Sequence, residues 1–292
     1  VIASIRRSLR LAGMRPLPRW HSGPAISLHG KRILVTGASS GIGAVAAVKL
    51  ASEGATVLAV ARRESLLNDV VGTIKASGGT AIAIPADLSD LDDVDAVVER
   101  AGHVDVLINN AARSIRRPLS ESLQRWHDIE RVMALNYYAP LRLVRGLSPG
   151  MLERGDGHII NVATWRVLPE SSPMFAPYNA SKAALSAVSR VIDTEWGAAG
   201  VHSTTIYYPL VATPMIAPTR AYDGVGALSA EEAADWMVTA VKTRPIRIAP
   251  RKALALRALD VVAPRMLNTI LERETDRMNA RTASAALMAD PA

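Results

Sequence analysis

The chain has 292 residues, of which 49% are hydrophobic, with 34 Lys or Arg against 27 Asp or Glu and no cysteine. That length buries a large core, and the absence of thiols excludes disulfide scaffolds, thiolate zinc sites and cysteine nucleophiles. The formal charge of +7 would suit nucleic acid if it covered a face, but residues 1–32 hold seven basic and no acidic side chains, leaving 27 against 27 in the other 260 residues. With no interleaving of aromatic and basic residues either, no nucleic-acid partner is expected.

Taken in order, residues 1–29 read as a basic N-terminal arm. Ile2, Ile5 and Leu9 recur at helical spacing between arginines until Pro16, Pro18 and Pro24 break the pattern. Residues 1–27 are thus a candidate for peripheral contact with an anionic membrane. The arm lacks the apolar core of a secretory signal, and no run of 18 apolar residues offers a span. A cytoplasmic location is expected.

From Lys31 onward, short apolar runs alternate with amphipathic segments, the pattern of β-α units wound around a parallel sheet. Strands are predicted at 33–35, 56–60, 80–84 and 104–109, with helices at 44–52, 64–76 and 91–100. A long helix at 123–147, a strand at 158–162, a helix at 178–196 and a strand at 201–207 follow. Ser229 and Glu232 form a capping box for a helix running to about 241. The expected fold is α/β: a doubly wound, Rossmann-like single domain over 30–250, followed by a C-terminal helical extension at 251–292.

Thr36-Gly37-Ala38-Ser39-Ser40-Gly41-Ile42-Gly43 lies where the first strand turns into the first helix. Glycines there let a pyrophosphate approach the amides of a helix N-terminus, so this is a candidate dinucleotide turn. The second strand ends at Arg62-Arg63, with no acid before Glu64. Two guanidiniums suit a ribose 2′-phosphate, whereas a carboxylate would suit a free ribose hydroxyl, so NADP(H) is favoured over NAD(H). Tyr178 and Lys182 stand four residues apart on one predicted helix face, 135 residues after the turn. A phenol titrates near pH 10 and needs a cation to exchange protons near neutrality; Lys182 is the expected cation.

These ordered motifs resemble the short-chain dehydrogenase/reductase family, over roughly residues 30–250. The resemblance makes Thr36 to Gly43 the cofactor turn, with contacts from Gly37, Ser39, Ser40, Gly41, Ile42 and Gly43. It implies an adenine contact at Asp87 and Leu88, and cofactor contacts at Asn110 and Ala111 in the segment Asn109-Asn110-Ala111-Ala112. Tyr178 and Lys182 match the catalytic pair, with Lys182 also holding the nicotinamide ribose, and Asn136 matches the proton-relay asparagine. Val211 and Thr213 would contact the carboxamide. The family's homo-oligomers, dimers or tetramers, would assemble through the helices at 123–147 and 178–196.

Three departures stand out. Ala112 replaces the usual glycine, and Pro209 stands where glycine is common before Thr213. Thr164 falls at the catalytic serine position, one residue farther from Tyr178 than usual, with Ser171 or Ser172 as substitutes if the loop folds back. Pro209-Leu210-Val211-Ala212-Thr213-Pro214-Met215 and Arg113-Ser114-Ile115-Arg116-Arg117 resemble the reductase portion of bacterial fatty acyl-CoA reductases. That likeness implies a lipid-like aldehyde, ketone or acyl thioester as the small-molecule substrate, with hydride passing between nicotinamide and a carbonyl or alcohol. The alternative is a catalytically silent nucleotide-binding sensor of the same fold. Arg113, Arg116 and Arg117 are either contacts for an anionic group or a solvated loop; Trp165 and Phe175 either line a substrate pocket or fill the core. The tail at 251–292 either caps the cleft or extends an interface. Six scattered histidines show no ligand spacing, so no metal is expected.

Overall fold

Along the first strand, β1 (Arg32–Thr36), Ile33 and Val35 point to one side of the sheet and Leu34 to the other, and all three are fully buried. Both faces are therefore covered, which is why the strands read as unbroken apolar runs. In this computed structural model, residues 13–16, 25–217, 219, 222 and 225–289 are described, with side chains described to 280. Most of the basic arm lies outside the described residues.

The elements that follow are α1 (Gly41–Ser52), β2 (Thr56–Ala61), α2 (Glu64–Ala76), β3 (Thr80–Pro85), α3 (Leu91–Ala101) and β4 (Val106–Asn109). The chain continues with α4 (Leu119–Leu123), α5 (Trp126–Met133), a π-helical turn (Ala134–Tyr138), α6 (Ala139–Arg154) and β5 (Gly157–Thr164). Then come α7 (Ala176–Trp196), β6 (Val201–Tyr208), α8 (Ala230–Thr243), β7 (Arg247–Ile248), α9 (Arg251–Val262) and α10 (Pro264–Ala289). All neighbouring strands are parallel, in the order β3-β2-β1-β4-β5-β6-β7. The winding reverses between β1 and β4, which opens a crevice outside the carboxyl ends of the strands.

One apolar layer packs Leu50, Leu67 and Met237, from α1, α2 and α8, on Val35 and Ala59. The other packs Val94, Leu143 and Ile192, from α3, α6 and α7, on Leu34 and Ile159. A third, smaller cluster joins Ala163 and Tyr207, at the ends of β5 and β6, to Ala253 of α9. It seats the C-terminal segment on the sheet's functional end.

The expected helix at 123–147 is a correction. Helix begins earlier, at Leu119, and breaks at Arg125, whose side chain turns to Asp128. After α5 the backbone widens into the π-helical turn that carries Asn136 inward, and α6 then runs through Pro149 to Arg154. Single-turn π segments of this kind often mark functional positions. The two-residue edge strand β7 was too short for periodicity to reveal. The capping box on α8 forms as read, with Ser229 N–H donating to Glu232 at 2.8 Å and Glu232 N–H donating to Ser229 Oγ at 3.1 Å.

Candidate active site

A cleft of about 1130 Å³ opens at the carboxyl ends of the strands. At its floor the ends of β1 and β4 are locked together. Thr36 Oγ1 donates to Ile108 O at 3.1 Å and accepts from the N–H groups of Asn110 and Ala111 at 2.9 and 3.0 Å. Asn110 Nδ2 donates back to Thr36 O at 2.9 Å.

This lock explains the glycines. A Cβ on Gly37, whose φ is +68°, would lie 2.9 Å from Ala111 Cα, and one on Gly43 would lie 2.4 Å from Gly37 O. Gly37, Ser39, Ser40, Gly41 and Ile42 line the cleft, but Gly43 does not: it is buried behind the turn, so its part is packing rather than the ligand contact expected of it. Ser40 precedes α1 without capping it; its hydroxyl instead accepts from Arg63 at 2.7 Å. The first amides of α1 therefore face the cleft without a side-chain cap, where a phosphate would be received.

Arg63 also reaches Ser39 Oγ at 3.3 Å, while Arg62 pairs with Asp87 at 3.3 Å. Burial raises the Asp87 pKa, but hydrogen bonds from the Ser89 backbone and Arg62 outweigh that and hold the carboxyl below its usual range. Asp87, Leu88, Asn110 and Ala111 line the cleft, as do Val211 and Thr213, the latter packed against Gly41 of the turn.

Thr164, Tyr178 and Lys182 come together farther along. Thr164 ends β5, and its Oγ1 accepts from Arg166 N–H at 3.4 Å. Neither Ser171 nor Ser172 lines the cleft, and Ser172 Oγ is buried without a partner. Of the three candidate hydroxyls, Thr164 is thus the one that lines the same cleft as Tyr178. Lys182 is fully buried and donates to Val162 O at 2.8 Å; burial pushes its pKa down to about 7. Asn136 does not line the cleft. It ties the loop after β4 to α7, accepting from Arg113 N–H at 2.8 Å and donating to Arg113 O at 2.9 Å and Ser181 Oγ at 3.0 Å.

Burial, and then Tyr222, push the Tyr178 pKa up to about 12, and Arg166 acts in the opposite direction. Arg166 lies over the rings of Trp165 and Phe175 at 5.3 and 5.1 Å from their centroids, and all three residues line the cleft. Phe175 is also buried and Trp165 packs on the third apolar cluster, so both residues fill core and border the cleft. Arg166 was missed in the sequence, although a cation between two bulky apolar neighbours beside Thr164 was a usable signal.

The three arginines after β4 part company. Arg113 lines the cleft, and Arg116 donates to Asn279 at 2.6 Å. Arg117 bonds buried Asp128, whose carboxyl is held down at about 2 by Arg125 and Arg117. Arg117 therefore joins loop to helix and faces no ligand. Ile270, Glu274, Arg277 and Met278 of α10 line the cleft as well, so the described part of the tail borders it. No histidine lines it, and among the described residues no group of three or more His, Cys, Asp or Glu is arranged to hold a metal ion.

Comparison with known proteins agrees with this geometry. A fatty acyl-CoA reductase of Mycobacterium tuberculosis is 62% identical over 285 residues, 94% of this chain and 97% of the relative. A fatty acyl-CoA reductase of Acinetobacter baylyi is 45% identical over 249 residues, 84% of each chain. The crystal structure of a metagenomic short-chain oxidoreductase in complex with NADP superposes with a TM-score of 0.63 at 30% identity, covering 74% of this chain and 92% of that one. The family model for short chain dehydrogenases matches residues 31–223, the span that builds both the dinucleotide turn and the Tyr178 cluster. The chain belongs to the short-chain dehydrogenase/reductase family and is an oxidoreductase that works with a nicotinamide dinucleotide.

Proposed function

We propose that this protein is an NADP(H)-dependent reductase of a lipid-like carbonyl, a fatty aldehyde or an acyl-CoA thioester. The observation that carries the reading is the continuity of one cleft, from the Arg62 and Arg63 end, past Tyr178 and Thr164, to the wall formed by Trp165, Phe175 and α10. The names of the two acyl-CoA reductase relatives support the substrate class. Support for NADP(H) comes from Arg63, whose guanidinium and the Ser39 and Ser40 hydroxyls form a donor set that suits a 2′-phosphate better than a bare ribose.

When bound, the dinucleotide would supply the hydride to the carbonyl carbon, so that an aldehyde becomes an alcohol, whereas a thioester becomes a hemithioacetal that expels the CoA thiol and leaves the aldehyde. The chain's own groups manage the oxygen. Tyr178 donates its proton to the developing alkoxide, and Thr164 donates a hydrogen bond to the same oxygen, where negative charge grows. Lys182, buried on α7, is the residue that would hold the nicotinamide ribose. Asn136 keeps that helix and the loop after β4 in register, so the reacting groups stay within bonding range.

Homo-oligomeric assembly is part of the proposal, supported by Leu119, Leu123, Trp126 and Tyr138, large apolar side chains left exposed on and around α4, α5 and the π-helical turn. No helix among the described residues is long and apolar enough to cross a membrane. The test is oxidation of NADPH by the purified full chain with a long-chain acyl-CoA and, separately, a fatty aldehyde, repeated with NADH. Turnover with NADPH at least about tenfold faster than with NADH is expected. Equal use of both cofactors would overturn the preference, and silence on both substrates while a polar ketone turns over would overturn the substrate class.

A further inference from the structure

Beyond the cleft, the described C-terminal residues form a helical hairpin with an unusual tip. Helix α9 runs out from the sheet end, anchored by Ala253 in the core, and α10 returns, anchored by Leu267 and Leu271. Twelve residues of α9 span about 18 Å. Val261 and Val262, at the turn between the helices, are 78% and 79% exposed, and Met266 is 57% exposed. Among the residues whose side chains are described, no other large apolar side chain reaches such exposure as the two valines. Their exposure sets them apart from a scatter of single surface residues.

Charge and position both say what covers this tip. Arg251, Lys252, Arg257 and Arg265 lie on the same segment, opposed within residues 251–270 by Asp260 alone. The order is apolar tip, cationic flanks, then cleft. Ile270, one helical turn from Met266, is itself partly exposed and lines the cleft, and Lys252 lines it from α9. The backbone of Arg15, midway along the basic arm, accepts from Arg251 N–H, which brings residues 13–16 of that arm to the base of the same hairpin. A second copy of the chain would cover the valines equally well but gives no reason for cations on both flanks. Nor would it need the apolar surface to run into the substrate opening.

We infer that the tip of the α9-α10 hairpin, Val261, Val262 and Met266, docks on an anionic lipid bilayer, with the flanking arginines at headgroup level and the cleft mouth beside the surface. The site is on a different segment from residues 1–27, which the sequence suggested for this contact. The inference rests on the proposed reading only in that a lipid-like substrate gives the docking a purpose; binding to vesicles is measured without turnover.

The test is co-sedimentation of the full chain with vesicles of phosphatidylglycerol and phosphatidylcholine in equal parts, against vesicles of phosphatidylcholine alone. Strong pelleting with the anionic vesicles is expected, weakened by salt. The variant Val261→Asp/Val262→Asp/Met266→Asp should lose that partition by at least about tenfold while keeping NADPH binding and turnover of a short soluble aldehyde. Should that variant misfold, Arg257→Glu/Arg265→Glu, at two exposed positions, gives the second reading and should lose anionic selectivity. Pelleting of the folded aspartate variant like the parent protein would overturn the inference and return the contact to the arm. So would no pelleting of the parent, or a parent oligomer that falls apart in the aspartate variant, which would make the tip a contact between copies. In either case NADPH-dependent reduction, read separately, would still stand or fall on its own.

Discussion

The two ends of the cleft are built by different means. At the dinucleotide end, ligand-facing atoms come largely from backbone amides and short side chains on the loops after β1, β2, β3 and β4, and the Thr36 lock holds two of those loops at close approach. At the substrate end, the wall is made of side chains from separated segments: Trp165 and Arg166, Phe175, Tyr222 and the inner face of α10. Backbone geometry tolerates little variation, since a single Cβ at Gly37 or Gly43 would collide with neighbouring chain. Side-chain walls can be rebuilt residue by residue. This contrast is how a common cofactor end can accompany many substrate ends.

The largest expected effect separates chemistry from cofactor binding at the junction of the two ends. Tyr178→Phe should lower kcat by about 10² to 10⁴ while leaving NADPH affinity within about twofold, measured by steady-state kinetics and fluorescence titration. Near-unchanged turnover would remove Tyr178 as proton donor. Next in size, Arg63→Glu should weaken NADPH binding by about tenfold to a hundredfold with little change for NADH, because a carboxylate beside Ser39 and Ser40 repels a 2′-phosphate and accepts a ribose hydroxyl. An equal loss for both cofactors would show that Arg63 merely supports the turn, and would erase the distinction drawn for that end.

The smallest effect concerns the sheet on which both ends stand. His158, fully buried on β5, bonds Thr204 Oγ1 through Nε2 at 2.9 Å, and burial pushes its pKa down to about 3. The unfolded chain takes up a proton near pH 6.5 that the folded chain refuses until near pH 3. The stability held by the neutral imidazole is therefore fully present above pH 6.5 and is lost progressively as pH falls toward 3. Melting temperature should fall by several degrees between pH 6.5 and 4.5, and His158→Gln should flatten that slope. An unchanged slope in the variant would place the acid sensitivity elsewhere. Because the sheet serves both ends, NADPH binding and turnover should decline together as it loosens.

Much of the dinucleotide end was legible in the chain because its determinants are local. Thr36 to Gly43 is one contiguous turn, Arg62 and Arg63 follow the next strand directly, and Tyr178 and Lys182 are one helical turn apart. Patterns of this length depend on backbone sterics and hydrogen bonding among near neighbours, which sequence spacing encodes. The helix read at 123–147 failed for the opposite reason. Its break at Arg125 answers to Asp128, and its π-helical widening presents Asn136 to Arg113 and Ser181, a residue 45 positions away. Periodicity carries no record of such partners.

The same division applies to the chemistry. By itself, the sequence determined the parallel α/β architecture, the dinucleotide turn and the placing of Tyr178 and Lys182 one helical turn apart, since strand period, glycine placement and helical spacing are properties of short windows. Only the tertiary structure decided that Gly43 packs instead of lining the cleft, that Thr164 lines it while Ser171 and Ser172 do not, and that Arg166 sits over Trp165 and Phe175 on its wall. It also brought a tail some hundred residues distant back over the opening, with Ile270 and Met278 forming its wall. Each of those outcomes depends on which surfaces meet when the chain buries its apolar area, and that depends on contacts between segments far apart in the chain.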